Sequence, residues 1–399
     1  MTELKKNKAI IVYILIVALS GLGLGLSDVL LSNYFRDAYE VDAFQRGLIE
    51  IPREMPGVLA MFALSGLAFL GDKKLAMIAH ALLCVGMLAL ALLSPTFNVM
   101  LIFLFVFSSG VHMFIPLYDS LGMSLASNTD YGKVLGKFNS IRMAFTLIAG
   151  LVAFYGFRVG FFSFTTPVIL NFLIAAILFA IIFWLIFYLK RLVGDSHPTK
   201  AHFVFRKEYI KFYILASLFG GRKQIIFVYG PWVLIELLDF GADHMSLLMI
   251  AGSVIGIFFI PMLGRWVDKF GAPKVMVLEV LLFFVIYLGY GFVSAGLHGG
   301  WLVGATAVVA LAVGVNILDR LVLSFNMVRT IYLRSIAKKT DDVTPTLATG
   351  MALDHIFSII GSIICGWIWW EFGPQYVFVF SGVLAVAHLI VALQVKREG

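Results

Sequence analysis

The chain has 399 residues, of which 61% are hydrophobic and only 13% charged, whereas an ordinary soluble domain is roughly a quarter charged. Water is therefore not the solvent for most of its surface. A formal charge of +7 would suit a nucleic-acid partner, but the basic residues fall in alternate loops between apolar runs, which is how a membrane protein is oriented, and nucleic acid is set aside.

Apolar runs of about 20 residues, each long enough to cross ~30 Å of hydrocarbon, recur from end to end. The predicted spans are 9–35, 46–70, 75–94, 98–126, 134–157, 168–189, 209–238, 245–264, 273–294, 301–333, 345–370 and 375–394. They read as helices, not barrel strands, because the runs are continuous and lipid offers no partner to open backbone groups. The first follows Lys5, Lys6 and Lys8 and is too long for a signal peptide. Its glycines, Gly21, Gly23 and Gly25, suit close helix contact, and it carries Asp28. Lys and Arg at the amino terminus, in the even-numbered loops or within the first turn of the span that follows them, and at the carboxyl end total twenty-one, against Arg36 and Arg158 in the odd-numbered loops. Both termini are thus expected on the cytoplasmic side of a plasma (inner) membrane.

An ionisable group at mid-membrane costs about 2.5–3.5 kcal/mol on insertion scales, so each one needs a partner or a task. On the second span Arg46, Glu50, Arg53 and Glu54 share one face, either as a self-neutralising ladder or as an outer gate working with Asp28. Pro52, Pro56 and Gly57 interrupt that span, and broken helices line transporter pathways. The fourth and fifth spans offer Asp119 with Arg142, and the tenth and eleventh offer Arg320, beside Asp319, with Asp354. These are static pairs or gates.

Near mid-membrane lie His112 on the fourth span and the adjacent Arg222 and Lys223 on the seventh, flanked by Gly220 and Gly221 and followed by Tyr229 and Pro231. No acid follows the two cations on that span until Glu236. Arg222, Lys223, His112, Tyr229 and Asp28 are the candidate substrate-binding residues for an anionic or zwitterionic solute. Pairing of the cations with Asp28 and snorkelling are the competing readings. Asp28, Glu54, Asp354 and His355 are candidate proton carriers, since a neighbouring carboxylate brings a His into the physiological range; packing is the plainer role for an intramembrane His. Cys84 and Cys365 fall inside spans and read as packing residues. There is no Walker-type loop, no metal-ligand cluster and no Ser or Cys nucleophile signature, so neither a metal nor a cofactor is expected, and the chain is read as not an enzyme.

The polar stretch Leu192–Lys207 separates six spans from six, giving expected domains 1–191, a linker 192–207, and 208–399. The segment from Lys137 to Gly150 aligns weakly with Thr349 to Ser362, as an internal duplication requires. Between the eighth and ninth spans stands Gly264-Arg265-Trp266-Val267-Asp268-Lys269-Phe270-Gly271-Ala272-Pro273-Lys274. It resembles the cytoplasmic G-x-x-x-D-(R/K)-x-G-x-(R/K) loop of the major facilitator superfamily, two glycines making a tight turn while acid and bases cap helix ends. The earlier counterpart Gly71-Asp72-Lys73-Lys74 lacks the second glycine, and the arginine usual in the family's fourth helix is missing, leaving the subfamily open.

The resemblance implies an all-α integral membrane fold of twelve transmembrane helices in two pseudo-symmetric six-helix bundles around a central cavity. It also implies a monomeric secondary transporter of a small organic solute by alternating access; the titratable groups Asp28, Glu54, Asp354 and His355 point to protons as the coupling ion. An acid in the first helix of a chain this short resembles family members that export drugs or sugars, which points to antiport and efflux of an anionic, zwitterionic or drug-like compound. Proton symport of an organic anion or sugar, a lipid flippase and a membrane-embedded enzyme are the rival readings.

Overall fold

The computed structural model describes residues 3–93, 96–125, 131–195, 205–302, 306–338 and 342–395. The described residues form helices and connections without a strand. In chain order they are α1 (Glu3–Leu26), a 3-10 turn at Asp28–Leu30, α2 (Leu31–Tyr39), α3 (Ala43–Leu48), α4 (Glu50–Gly66), α5 (Asp72–Leu92), α6 (Phe97–Leu125), α7 (Tyr131–Arg158) and α8 (Leu170–Val193). Then come α9 (Ile210–Gln224), α10 (Gly230–Trp232), α11 (Ala242–Phe270), α12 (Ala272–His298), α13 (Thr306–Val322), α14 (Asn326–Ile336), α15 (Val343–Phe372) and α16 (Pro374–Leu393).

Ten of the described helical stretches are long and apolar enough to cross a membrane. They correspond to ten of the predicted spans. The other two, 46–70 and 209–238, are interrupted helices. The first is split between α3 and α4 and holds Pro56 inside α4. The second passes from α9 into a π-helical stretch at Ile225–Tyr229, the short α10, and a second π-helical stretch at Val233–Leu237. Pro231 supplies the cause: it has no N–H to donate and its ring crowds the preceding turn, and π turns often mark functional sites. Large apolar side chains face outward, Phe258 being 74% and Leu288 73% exposed, as a hydrocarbon solvent requires and water would not favour.

Contacts divide the chain into two compact units, Met1–Tyr39 with Leu59–Ala201, and Glu40–Val58 with His202–Gly399. In the first, α1 packs on α7 and α8 while α5 packs on α6 and α8. The glycines of α1 make this possible, since a Cβ on Gly25 would lie 2.6 Å from that of Ala149 and one on Gly23 2.7 Å from the Phe179 ring. Tyr13 donates to the Tyr118 carbonyl at 2.5 Å, and the Asn171 amide donates to the Leu26 carbonyl at 3.0 Å, satisfying an acceptor at the end of α1.

In the second unit α15 packs on α9 and α3, and α12 packs on α16 and α13. Residues 40–58 belong to this unit although the chain reaches them early. An Asp42–Gln45 capping box opens α3. Cys84 and Cys365 are free thiols.

Candidate functional site

The second unit gathers a row of ionisable groups from α3, α4, α9, α12, α14 and α15. Arg46 donates to Glu50 at 2.6 Å and Arg53 donates to the same oxygen at 2.9 Å, the ladder that helical spacing implies. Glu54 leaves the ladder. Its Oε2 lies 2.7 Å from His355 Nδ1 on α15. Gly57, one turn further along α4, makes the approach possible, because a Cβ there would sit 2.5 Å from His355 Nε2.

Asp354, next to His355, holds Lys223 of α9 at 2.6 Å. Here too small residues set the distance: Gly220 packs directly on Asp354, and Gly361 of α15 lies against Gly221. Ser358 donates to the Gly220 carbonyl at 3.0 Å. The expected Arg320–Asp354 pair is absent, because Asp354 is taken by Lys223 and the Arg320 Nε donates to Asn316 at 3.1 Å instead.

Arg222 is wholly buried. Its guanidinium lies 3.7 Å from Glu279 of α12 and 3.9 Å from the centre of the Phe283 ring. Arg329 of α14 donates to both Glu279 oxygens at 3.0 and 3.2 Å and stacks 3.4 Å from the Phe219 ring centre. The acid that α9 lacks is thus supplied by α12. Sequence reasoning passed over Glu279, an acid seven residues into the ninth predicted span; its depth in an apolar run was the available signal. His388 of α16 is buried beside the two arginines' field with neither ring nitrogen hydrogen-bonded.

Exposure separates these groups. Arg46, Glu50, Arg222 and Glu279 have side chains that are 0% exposed, whereas Lys223 and Asp354 are 15% and 18% exposed and His355 and Glu54 10% and 13%. The first set braces helices; the second can meet water or solute. Tyr229 is buried and donates to the Ser362 carbonyl at 2.6 Å, fixing the π-helical stretch to α15. Asp319 is buried on α13.

The first unit holds the remaining candidates. His112 Nδ1 lies 2.9 Å from the Ser108 carbonyl, one turn back on α6. The Arg142 guanidinium sits 4.8 Å from the centre of the Tyr118 ring. The Asp119 side chain, its expected partner, lies outside the described residues. Asp28 is half-buried in the 3-10 turn between α1 and α2.

The sequence matches the Major Facilitator Superfamily profile over residues 13–330. The chain belongs to the Major Facilitator Superfamily. Solved structures share the fold. The nucleoside transporter NupG superposes with a TM-score of 0.73 at 15% identity, covering 99% of this chain and 100% of that one. A POT family transporter in complex with 5-aminolevulinic acid gives 0.76 at 13%, covering 97% and 96%. The D-xylose-proton symporter gives 0.68 at 16%, covering 98% and 97%. No curated protein sequence matches significantly.

The loop that carried the resemblance to the superfamily folds around one glycine, not two. Gly271, with φ 82°, ends α11 and opens α12, its N–H donating to the Val267 carbonyl at 2.8 Å. Gly264 lies inside α11 with open space beside it. Asp268 and Lys269 occupy the last turn of α11, Lys269 lying 5.3 Å from the Phe270 ring centre, and Lys274 is exposed near the start of α12. In the earlier loop Gly71 has the same backbone shape, φ 83°. There Asp72 accepts from Ser120 at 2.6 Å, while Asp195 accepts from the Lys73 N–H at 3.0 Å and pairs with Lys190 at 3.7 Å, capping α5 with the stretch that follows α8.

Proposed function

We propose that this superfamily member is a proton-coupled secondary transporter that moves an anionic or zwitterionic organic solute by alternating access. The observation that carries the reading is the pair of neighbours on α15: Asp354 binds Lys223 while His355 meets Glu54, and both pairs are partly accessible. A contact between an imidazole nitrogen and a carboxylate oxygen at 2.7 Å requires a proton between them, on one or the other. Glu54 and His355 are therefore a proton-holding pair. A solute carboxylate competes for Lys223, and a solute ammonium competes for Asp354. Either exchange shifts α15 at the residue next to His355, which couples solute to proton. That 5-aminolevulinic acid, which has both an amine and a carboxylate, occupies a transporter of the same fold supports this solute class.

The direction we propose is outward, by antiport, on the acid Asp28 near the outer end of the first helix. Uptake by symport is the second reading, favoured by the fold shared with the D-xylose-proton symporter. The excess of basic residues in alternate loops supports a plasma-membrane protein with cytoplasmic termini. The test is thermal stabilisation of the purified protein by a panel of organic anions, zwitterions, sugars, nucleosides and lipids. A stabilising anion or zwitterion whose effect vanishes in Lys223→Gln supports the reading. Stabilisation by lipids alone, or an effect unchanged in that variant, contradicts it.

A further inference from the structure

All three nitrogens of the Arg222 guanidinium are buried without a hydrogen-bond partner among the described residues. Glu279 stands 3.7 Å from the nearest of them, too far for a hydrogen bond, because both its oxygens accept from Arg329, at 3.0 and 3.2 Å. A buried charge left this way is costly. Glu279, Phe283 and Tyr287 follow one another at the spacing of a helical turn on α12, and the guanidinium lies 3.9 Å from the centre of the Phe283 ring. Phe283 in turn stacks on Tyr287, with 5.8 Å between ring centres and 20° between planes. The edge of Arg222 turned from Glu279 is thus turned toward Tyr287, whose buried hydroxyl also lacks a partner. The hydroxyl of Tyr290 differs, since it accepts from Asn316 at 3.1 Å. From α16, which packs on α12, His388 comes within electrostatic reach of both arginines, 0% exposed and with neither ring nitrogen hydrogen-bonded.

We infer that Arg222, Tyr287 and His388 form a site for a monovalent inorganic anion of the halide class, held between α9, α12 and α16 and distinct from the solute site at Lys223. Unused donors call for an acceptor, and the charges say which kind. Arg222 and Arg329 carry two positive charges against the single negative charge of Glu279. The other charges within reach are opposed in twos, Lys223 by Asp354 at 2.6 Å and Asp319 by the adjacent Arg320, so one positive charge is left over. Water would supply an acceptor and leave that charge standing; a monovalent anion supplies the acceptor and cancels the charge. A guanidinium has no lone pair to offer a metal cation, whereas it, the phenol and a neutral imidazole all offer an N–H or O–H to an anion. Bound there, the anion ties α9, one residue from Lys223, to α12 and α16. The inference does not depend on proton coupling or on the class of solute.

Thermal unfolding of the full chain, extracted and purified in gluconate, tests this, with chloride, bromide or more gluconate added at constant ionic strength. A saturable rise in melting temperature with chloride and bromide but not gluconate supports the inference, and Tyr287→Phe, if it keeps wild-type helicity, should need roughly tenfold more halide for the same rise. No halide-specific rise, or an unchanged midpoint in Tyr287→Phe, overturns it. Arg222→Gln should lose the effect altogether. Should that variant fail to fold, crystals of the wild type grown in bromide carry the test: an anomalous bromide peak beside Arg222 is expected, and an ordered water there, or bromide only at Lys223, overturns the inference. No solute enters these measurements, so their failure counts against the anion site alone, whereas the absence of any transported solute counts against the transport reading.

Discussion

His355 Nδ1 and Glu54 Oε2 lie 2.7 Å apart although 301 residues separate them in the chain. The approach depends on Gly57, which gives α15 room to lay the imidazole on α4. Replacing Gly57 by Ala puts a methyl 2.5 Å from His355 Nε2, so the ring must shift and the shared proton loses one of its partners. Gly57→Ala and His355→Gln are expected to give one phenotype: a folded, membrane-inserted protein whose transport is no longer driven by an imposed pH gradient. Initial rates measured with and without the gradient check it.

Lys223 and Asp354 form the other accessible pair. A charge-assisted hydrogen bond to the solute is worth about 1.5–3 kcal/mol. Lys223→Gln should therefore weaken binding of an anionic or zwitterionic solute by roughly tenfold or more. Arg222→Gln, at a wholly buried position, should instead lower stability with little direct effect on affinity. Calorimetric titration against thermal melting separates the two.

The span pattern was legible because apolarity over about 20 residues depends on composition alone, and the same logic exposed Arg46, Glu50 and Arg53 as a ladder. The pairings between distant helices were not legible. Which acid meets Lys223 depends on how closely α9 and α15 approach at Gly220 and Gly361, and that is set by packing of residues over a hundred positions apart. Glu279 was overlooked for a related reason: one acid in a long apolar run declares a need for a partner without naming it. The two glycines of the Gly264–Lys274 loop look equivalent in the motif, yet of these two only Gly271 has the backbone that demands glycine.

Glu279 neutralises two buried arginines, Arg222 and Arg329. Removing one partner of a buried charge group costs about 3–5 kcal/mol because the remaining charge stays uncompensated. Glu279→Gln is expected to lower the melting temperature sharply, and Glu279→Gln combined with Arg222→Gln should recover part of the loss. A double-mutant cycle followed by thermal unfolding in detergent measures the coupling.

Gly271 has φ 82° and ψ 154°, a region that costs a side-chain-bearing residue about 1–3 kcal/mol. Gly264 lies within α11 with open space beside it, where Ala is the better helix former by about 1 kcal/mol. Gly271→Ala should destabilise and Gly264→Ala should not, although both glycines belong to the superfamily loop. Parallel melting curves decide it.

The most direct test of coupled transport is proton movement itself. Proteoliposomes carrying a trapped pH-sensitive dye are challenged with organic anions and zwitterions in turn, using wild type and Glu54→Gln. The account predicts that at least one solute drives a pH change through the wild type and none through the variant; solute flux that leaves the internal pH unchanged in both would contradict it.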